Sequence, residues 1–193
     1  MDPTQRTVYL TFDDGPIPES TPFLLETLEK YGVKATFFVV GENVEKYPEL
    51  FEQIVGQGHQ IGNHTHHHLG SFKHWTATYL IDTYEAQQTI LRHLPTPQST
   101  PQPPLFRPPH GWLRPSIYYW LSKRYHIVMW DVVTRDYSRL LTGDDVFNNV
   151  RRYARNGSII TFHDSLKSID KLHTALPQSI EWLQKEGYEF KTF

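Results

Sequence analysis

The chain has no cysteine and only two methionines in 193 residues. Without thiols there is no disulfide, no thiolate metal site and no cysteine nucleophile. An excess of one charge is also missing. Lys and Arg number 19 against 21 Asp and Glu, a formal net charge of -2. The basic residues form no long run, so nothing marks a surface for nucleic acid or anionic membrane. No apolar stretch approaches the roughly 20 residues needed to span a bilayer. The opening "MDPTQRT" has neither a charged nor an apolar leader region. The expectation is a cytoplasmic protein, or an envelope or secreted one whose leader was removed. No GxGxxG or GxxxxGK[ST] phosphate loop occurs either.

What the chain does have is histidine and aromatic side chains. Eleven residues are histidine, and five of them lie between His59 and His68. Aromatics make up 14% of the chain, and hydrophobic residues 38%. This length and composition suit one soluble globular domain over residues 1–193, expected as a monomer.

Strand and helix patterns alternate throughout. "TVYLTF", "ATFFVV", "HQIGNH", "LFRPP", "HIVMWDVV", "SIITFH" and "YEFKTF" read as strands. Between them, amphipathic runs such as "STPFLLETLEKYG" and "WTATYLIDTYEAQQTILRHL" read as helices. Ser20 or Thr21 is placed to cap the first helix and Gly32 to end it. "PTPQSTPQPPL" is a surface loop within the domain. The alternation predicts parallel strands with helices outside: an α/β fold, a distorted (β/α) barrel of about seven strands.

The polar clusters fall at the predicted carboxyl ends of strands, which share one face in such folds. They are Asp13 with Asp14, His64 to His68, Arg107 to Gly111, Asp131 to Asp136, and His163 with Asp164. Adjacent carboxylates repel unless a positive charge lies close. Asp14, His64 and His68 supply a two-histidine, one-carboxylate set suited to Zn2+, with Co2+, Ni2+, Fe2+ or Mn2+ also compatible. His64 and His68 are four residues apart, which on a helical turn places them on one side. Asp13 is then placed to take a proton from water, and His163 to protonate a leaving group, oriented by Asp136 or Asp164. Arg107 is expected to hold Asp13 or Asp136 through a two-pronged contact. Backbone N–H groups near His110 are expected to face a developing oxyanion.

With these residues in view, the chain resembles the polysaccharide deacetylase family, the NodB-homology group or carbohydrate esterase family four. "TFDDGP" is similar to its first motif and "HTHHH" to its second. The resemblance implies a NodB-type distorted barrel, Asp13 as catalytic base and His163 as catalytic acid. It implies Asp14, His64 and His68 as zinc ligands, with Thr65, Arg107, His110 and Asp136 supporting them. Pro109, Gly111 and Tyr137 would line the substrate site. The implied reaction is hydrolysis of N-acetyl groups on a GlcNAc-containing polysaccharide, peptidoglycan or chitin-like, releasing acetate. O-acetyl ester hydrolysis on xylan-like glycans and glycan binding with weak turnover are the alternatives. Three positions depart from the family pattern. His110 stands where tyrosine is usual, Tyr137 where tryptophan is usual, and Val133 where an acid is common. Asp131, two positions before Val133, is a candidate to compensate.

Overall fold

The computed structural model describes residues 6–95 and 101–193. Residues 1–5 of the opening stretch and residues 96–100 of the Pro-rich loop therefore lie outside the described residues. The strands are β1 (Arg6–Asp14), β2 (Thr36–Val39), β3 (Gln60–Asn63), β4 (Leu105–Phe106), β5 (His126–Ile127), β6 (Val132–Val133), β7 (Ser158–His163) and β8 (Tyr188–Lys191). The helices are α1 (Thr21–Lys30), α2 (Gly41–Lys46), α3 (Pro48–Gly56), α4 (Thr76–His93), α5 (Pro115–Leu121), α6 (Gly143–Tyr153) and α7 (Ile169–Lys185). Seven strands run in the order β5-β4-β3-β2-β1-β7-β6, with β8 paired to β1 off this path. Every pairing is parallel. The fold is the expected α/β arrangement, a curled partial barrel with helices outside.

Alternation along β1 sorts its residues between two environments. Val8, Leu10 and Phe12 join a buried cluster with Leu24 and Leu28 of α1 and Leu172, Leu176 and Ile180 of α7. Phe12 stacks on Phe37 of β2 and Phe162 of β7, with ring centroids 5.0 and 6.0 Å away. Burying each such side chain stabilises the fold by roughly 1.5–3 kcal/mol. Thr11 and Asp13 point the other way, into the barrel, where Thr11 meets Thr161 of β7 and the Arg107 guanidinium. Register then sets the chemistry: Asp13 pairs with His163 across β1 and β7.

The run "HIVMWDVV" is not one strand. Its start forms β5, paired to β4, and its end forms β6, paired to β7. These are the two edges of the curled sheet, so the segment crosses the gap that hydrogen bonding leaves open. The Val128 and Met129 carbonyls there accept from the Arg107 side chain at 3.2 and 3.1 Å. A side chain thus replaces the missing strand contact. Helix α2 is a further element that apolar periodicity did not announce. Ser20 sits at the N-cap of α1 but makes no capping bond; its hydroxyl is committed to Asp164. Helix α6 begins with a reciprocal capping box between Thr142 and Asp145. It ends at Tyr153, well before Gly157, which turns the chain into β7 at φ +84.

Candidate active site

A cleft of about 750 Å³ opens at the carboxyl ends of the strands. Asp13, Asp14, His64, His68, His110, Tyr137 and His163 all line it. All five polar clusters read from the sequence therefore contribute to one mouth, the Asp131 to Asp136 stretch through Val133, with Tyr137 beside it.

The two adjacent acids are treated differently by the backbone. Asp13 is 2% exposed and stays in the strand. Asp14 has φ +83, a conformation uncommon for a side-chain-bearing residue. Gly15 follows because nothing larger fits: an added Cβ would lie 1.9 Å from Asp164 Oδ2. The Asn43 side-chain amide steadies the turn by donating to the Asp14 carbonyl at 2.9 Å.

His64 and His68 do converge on Asp14, with their Nε2 atoms 3.6 and 3.2 Å from Asp14 Oδ1. They do so without a helical turn. Residues 64–68 form a loop in which Thr65 (φ +66) and His68 (φ +53) adopt left-handed conformations. Thr65 Oγ1 accepts from the Leu69 N–H at 3.1 Å, and Asn63 Oδ1 accepts from the Thr65 N–H at 2.8 Å. Asp82 on α4 accepts from the His66 and His67 N–H groups at 2.8 and 3.2 Å. Those side-chain acceptors do the work that a helical ladder was expected to do.

His64 Nδ1 lies 2.8 Å from the Arg107 carbonyl. A carbonyl only accepts, so Nδ1 carries the hydrogen and Nε2 presents a lone pair toward Asp14. Burial lowers the His64 pKa to about 4, against the opposing pull of Asp13 and Asp14, so the ring is neutral at pH 7. Burial would raise Asp14, but the His68 hydrogen bond and the charges of His64, His163 and His68 hold it well below the usual carboxylate range. Donor atoms of Asp14, His64 and His68 all lie within 4.8 Å of one another. An ionised carboxylate facing an imidazole lone pair calls for a cation between them, so these residues fit a divalent metal.

Arg107 is wholly buried. Its Nη1 donates to Asp13 Oδ1 at 2.6 Å and to Thr11 Oγ1 at 2.7 Å. The expected two-pronged contact with a carboxylate does not form, because Nε and Nη2 are taken by the Val128 and Met129 carbonyls. The guanidinium packs over the Phe38 ring, 4.0 Å from its centroid. Asp13 is thereby fixed from the barrel side by a buried cation.

On the opposite wall, Asp136 is fully buried and grips His163 twice. Oδ1 meets Nδ1 at 2.8 Å, and Oδ2 accepts from the His163 backbone N–H at 2.7 Å. Burial lowers the His163 pKa, but the Asp136 hydrogen bond and charge, joined by Asp13 and Asp14, raise it overall to about 9. Of the two acids considered for orienting His163, Asp136 does so and Asp164 does not. Asp164 turns away to accept from Ser20 and from Thr21 Oγ1, and burial pushes its carboxyl up to about 7. Tyr137 stands edge-on to the His163 ring at 4.9 Å.

Asp131 does not compensate for Val133. Its carboxylate accepts from Ser158 Oγ at 2.9 Å and the Ile159 N–H at 2.7 Å, at the amino end of β7 and away from the cleft. Val133 itself lines the cleft. His110 has φ +63 and sets its ring edge-on to His68 at 4.8 Å. Pro109 is buried behind it. Gly111 (φ +72) lies beneath Trp130, where an added Cβ would come within 2.5 Å of the indole ring. Asn43, Asp82, Trp130, Arg139 and Lys167 were not singled out from the sequence. Only the run of an acid among the polar positions of α4 hinted at Asp82; the others depend on tertiary placement.

A family model described as polysaccharide deacetylase matches residues 1–124. A Bacillus cereus protein named peptidoglycan-N-acetylglucosamine deacetylase is 35% identical over 96% of this chain and 66% of its own length. A Bradyrhizobium chitooligosaccharide deacetylase is 33% identical, covering 95% of this chain and 87% of that protein. The crystal structure of the Bc1960 peptidoglycan N-acetylglucosamine deacetylase superposes with a TM-score of 0.88 at 33% identity, covering 98% of this chain and 87% of that one. Among such relatives the chain spans from 38% to 87% of their length.

Proposed function

This chain belongs to the polysaccharide deacetylase family, and on that premise we propose that it hydrolyses N-acetyl groups of a GlcNAc-containing polysaccharide, peptidoglycan or chitin-like, and releases acetate. The observation that carries this reading is the pairing of two unlike walls across one cleft. Asp14, His64 and His68 gather their donor atoms within 4.8 Å, and Asp13 sits one strand from an acid-bound His163.

Asp14, His64 and His68 hold the metal, Zn2+ first by donor type, with Co2+, Ni2+, Fe2+ and Mn2+ suited to the same atoms. Such an ion supplies Lewis acidity and lowers the pKa of water from about 15.7 toward roughly 7. Asp13 accepts the proton that water loses as its oxygen bonds to the acetyl carbon. Arg107 holds and aims the Asp13 carboxyl, and Thr65 braces the histidine loop. His163 delivers a proton to the amide nitrogen as the C–N bond breaks, so that an amine leaves rather than an amide anion. Asp136 maintains the imidazolium that this step requires. The backbone N–H groups around His110 face the developing oxyanion. Tyr137 and Trp130 form the wall for sugar and acetyl methyl, with Pro109 and Gly111 set behind them rather than in the cleft.

The test is acetate release by zinc-loaded protein from N-acetyl chito-oligomers, peptidoglycan and acetylated xylan. Release from the amide substrates with free amine appearing in equal amount is expected. Release confined to acetylated xylan, or glycan binding with no acetate from any of them, rejects the assignment.

A further inference from the structure

The loop that carries His64 and His68 on one side carries His66 and His67 on the other, and the proposed reaction uses neither. Ligand atoms of His66, His67 and Glu85 lie within 4.8 Å of one another. Asp82, itself only 5% exposed, meets His67 Nδ1 at 2.6 Å through Oδ1. A carboxylate on one imidazole nitrogen fixes the ring and leaves the other nitrogen free. It is the usual outer partner behind a metal-ligating histidine. The His67 side chain is 51% exposed, so its free Nε2 is open to solvent. His66 is 3% exposed; its Nδ1 has no partner and lies against Gly41. Its Nε2 faces Glu45 Oε2 at 3.9 Å. The two rings meet edge-on with centroids 4.5 Å apart.

A surface histidine paired with an acid accounts for His67 and Asp82. It does not account for a second, buried imidazole beside it, nor for the Glu85 carboxylate arriving from α4; Glu45 of α2 is held at Oε1 by Thr89 and Arg92 and keeps Oε2 toward His66. We infer that His66, His67 and Glu85, with Glu45 alongside, form a second site for a divalent transition ion such as Zn2+. Two imidazoles and a carboxylate are donors that zinc takes, and cobalt, nickel and copper accept them too. Glu85 lies on α4, so an ion here ties that helix to the loop holding His64 and His68. This inference does not rest on the proposed reaction.

The test titrates metal-free protein with Zn2+ alone, by calorimetry, and counts bound metal by plasma mass spectrometry after dialysis. Two equivalents are expected for the parent, one for Glu85→Gln, one for Asp14→Ala and none for the combined variant. His67→Ala weakens the second site at least tenfold. In Asp14→Ala protein, Zn2+ still raises the unfolding temperature, and adding Glu85→Gln removes that rise. Glu85 is exposed, so its exchange leaves the fold intact, which circular dichroism checks. A single equivalent in the parent that Asp14→Ala abolishes overturns the inference. Two equivalents that survive both Glu85→Gln and His67→Ala overturn it as well. One equivalent lost in Glu85→Gln but kept in Asp14→Ala supports this site and counts against the catalytic one.

Discussion

His64 and His163 stand on opposite walls of one cleft and are tuned in opposite directions. Burial pushes both rings toward the neutral form, yet His64 falls to about 4 while His163 rises to about 9. The difference follows the group at Nδ1. His64 faces the Arg107 carbonyl, a neutral acceptor, whereas His163 faces the Asp136 carboxylate. A carbonyl fixes the tautomer and leaves a lone pair at Nε2. A carboxylate stabilises the imidazolium and so stores a proton. One residue type thus presents a lone pair on one wall and holds a proton on the other.

The largest break in this contrast comes from the lone-pair wall. His64→Ala or Asp14→Ala removes one of three donors, so Zn2+ affinity falls by more than the roughly 10–100-fold that loss of an outer partner costs. Activity falls with it, and calorimetry at the catalytic site reads the loss directly. Asp13→Asn comes next. It sits between the walls and is held by Arg107 rather than by the histidines. Metal binding is expected to stay within a few-fold of the parent, while kcat falls by about 10²–10⁴. Parent-like turnover in Asp13→Asn assigns the base elsewhere.

A smaller effect separates substrates. An amine is a poor leaving group without a proton, and an alkoxide needs less help. His163→Ala is therefore expected to lose about 10²-fold or more on N-acetyl chito-oligomers and clearly less on an acetate ester. Equal losses on both remove the proton-donor role from this wall and leave His163 as a positioning group.

How much of this was readable without coordinates also divides by region. In the first part of the chain, "TFDDGP" and "NHTHHH" marked the acids and imidazoles directly, the first at the end of a nine-residue strand and the second by its density of histidine after a strand of four. The loop geometry was not readable: spacing of four suggested a helical turn, whereas Thr65 and His68 reach the same convergence through positive φ and the Asp82 carboxylate. In the later part, β4, β5 and β6 are two residues each. Strands that short carry no periodicity, so "HIVMWDVV" read as one element although it supplies both sheet edges. Asp131 was misplaced for the same reason, since alternation along a continuous strand does not hold across that break. The choice between Asp136 and Asp164 as partner of His163 depended on the Ser20 and Thr21 hydroxyls, far away in sequence.

The finest probe of the two walls is Asp136→Asn. It removes the carboxylate charge from His163 and leaves the metal-holding wall untouched. Burial, which lowers the His163 pKa, is then opposed only by the Asp13 and Asp14 charges, and the value drops from about 9 toward its ordinary 6.5. Catalysis needs the protonated ring, so the alkaline limb of the rate profile moves to lower pH, by about two units. A bound cation nearby draws both limbs down, so parent and variant are compared with the same metal loaded. Stability carries the same sign. A histidine raised in the folded state adds stability that is full below about 6.5 and is lost as pH rises through about 9. The parent therefore loses stability between those values, and the variant starts lower and loses less. Coincident alkaline limbs in the two proteins would remove Asp136 as the group that holds the His163 proton and leave that role to the Asp13 and Asp14 charges.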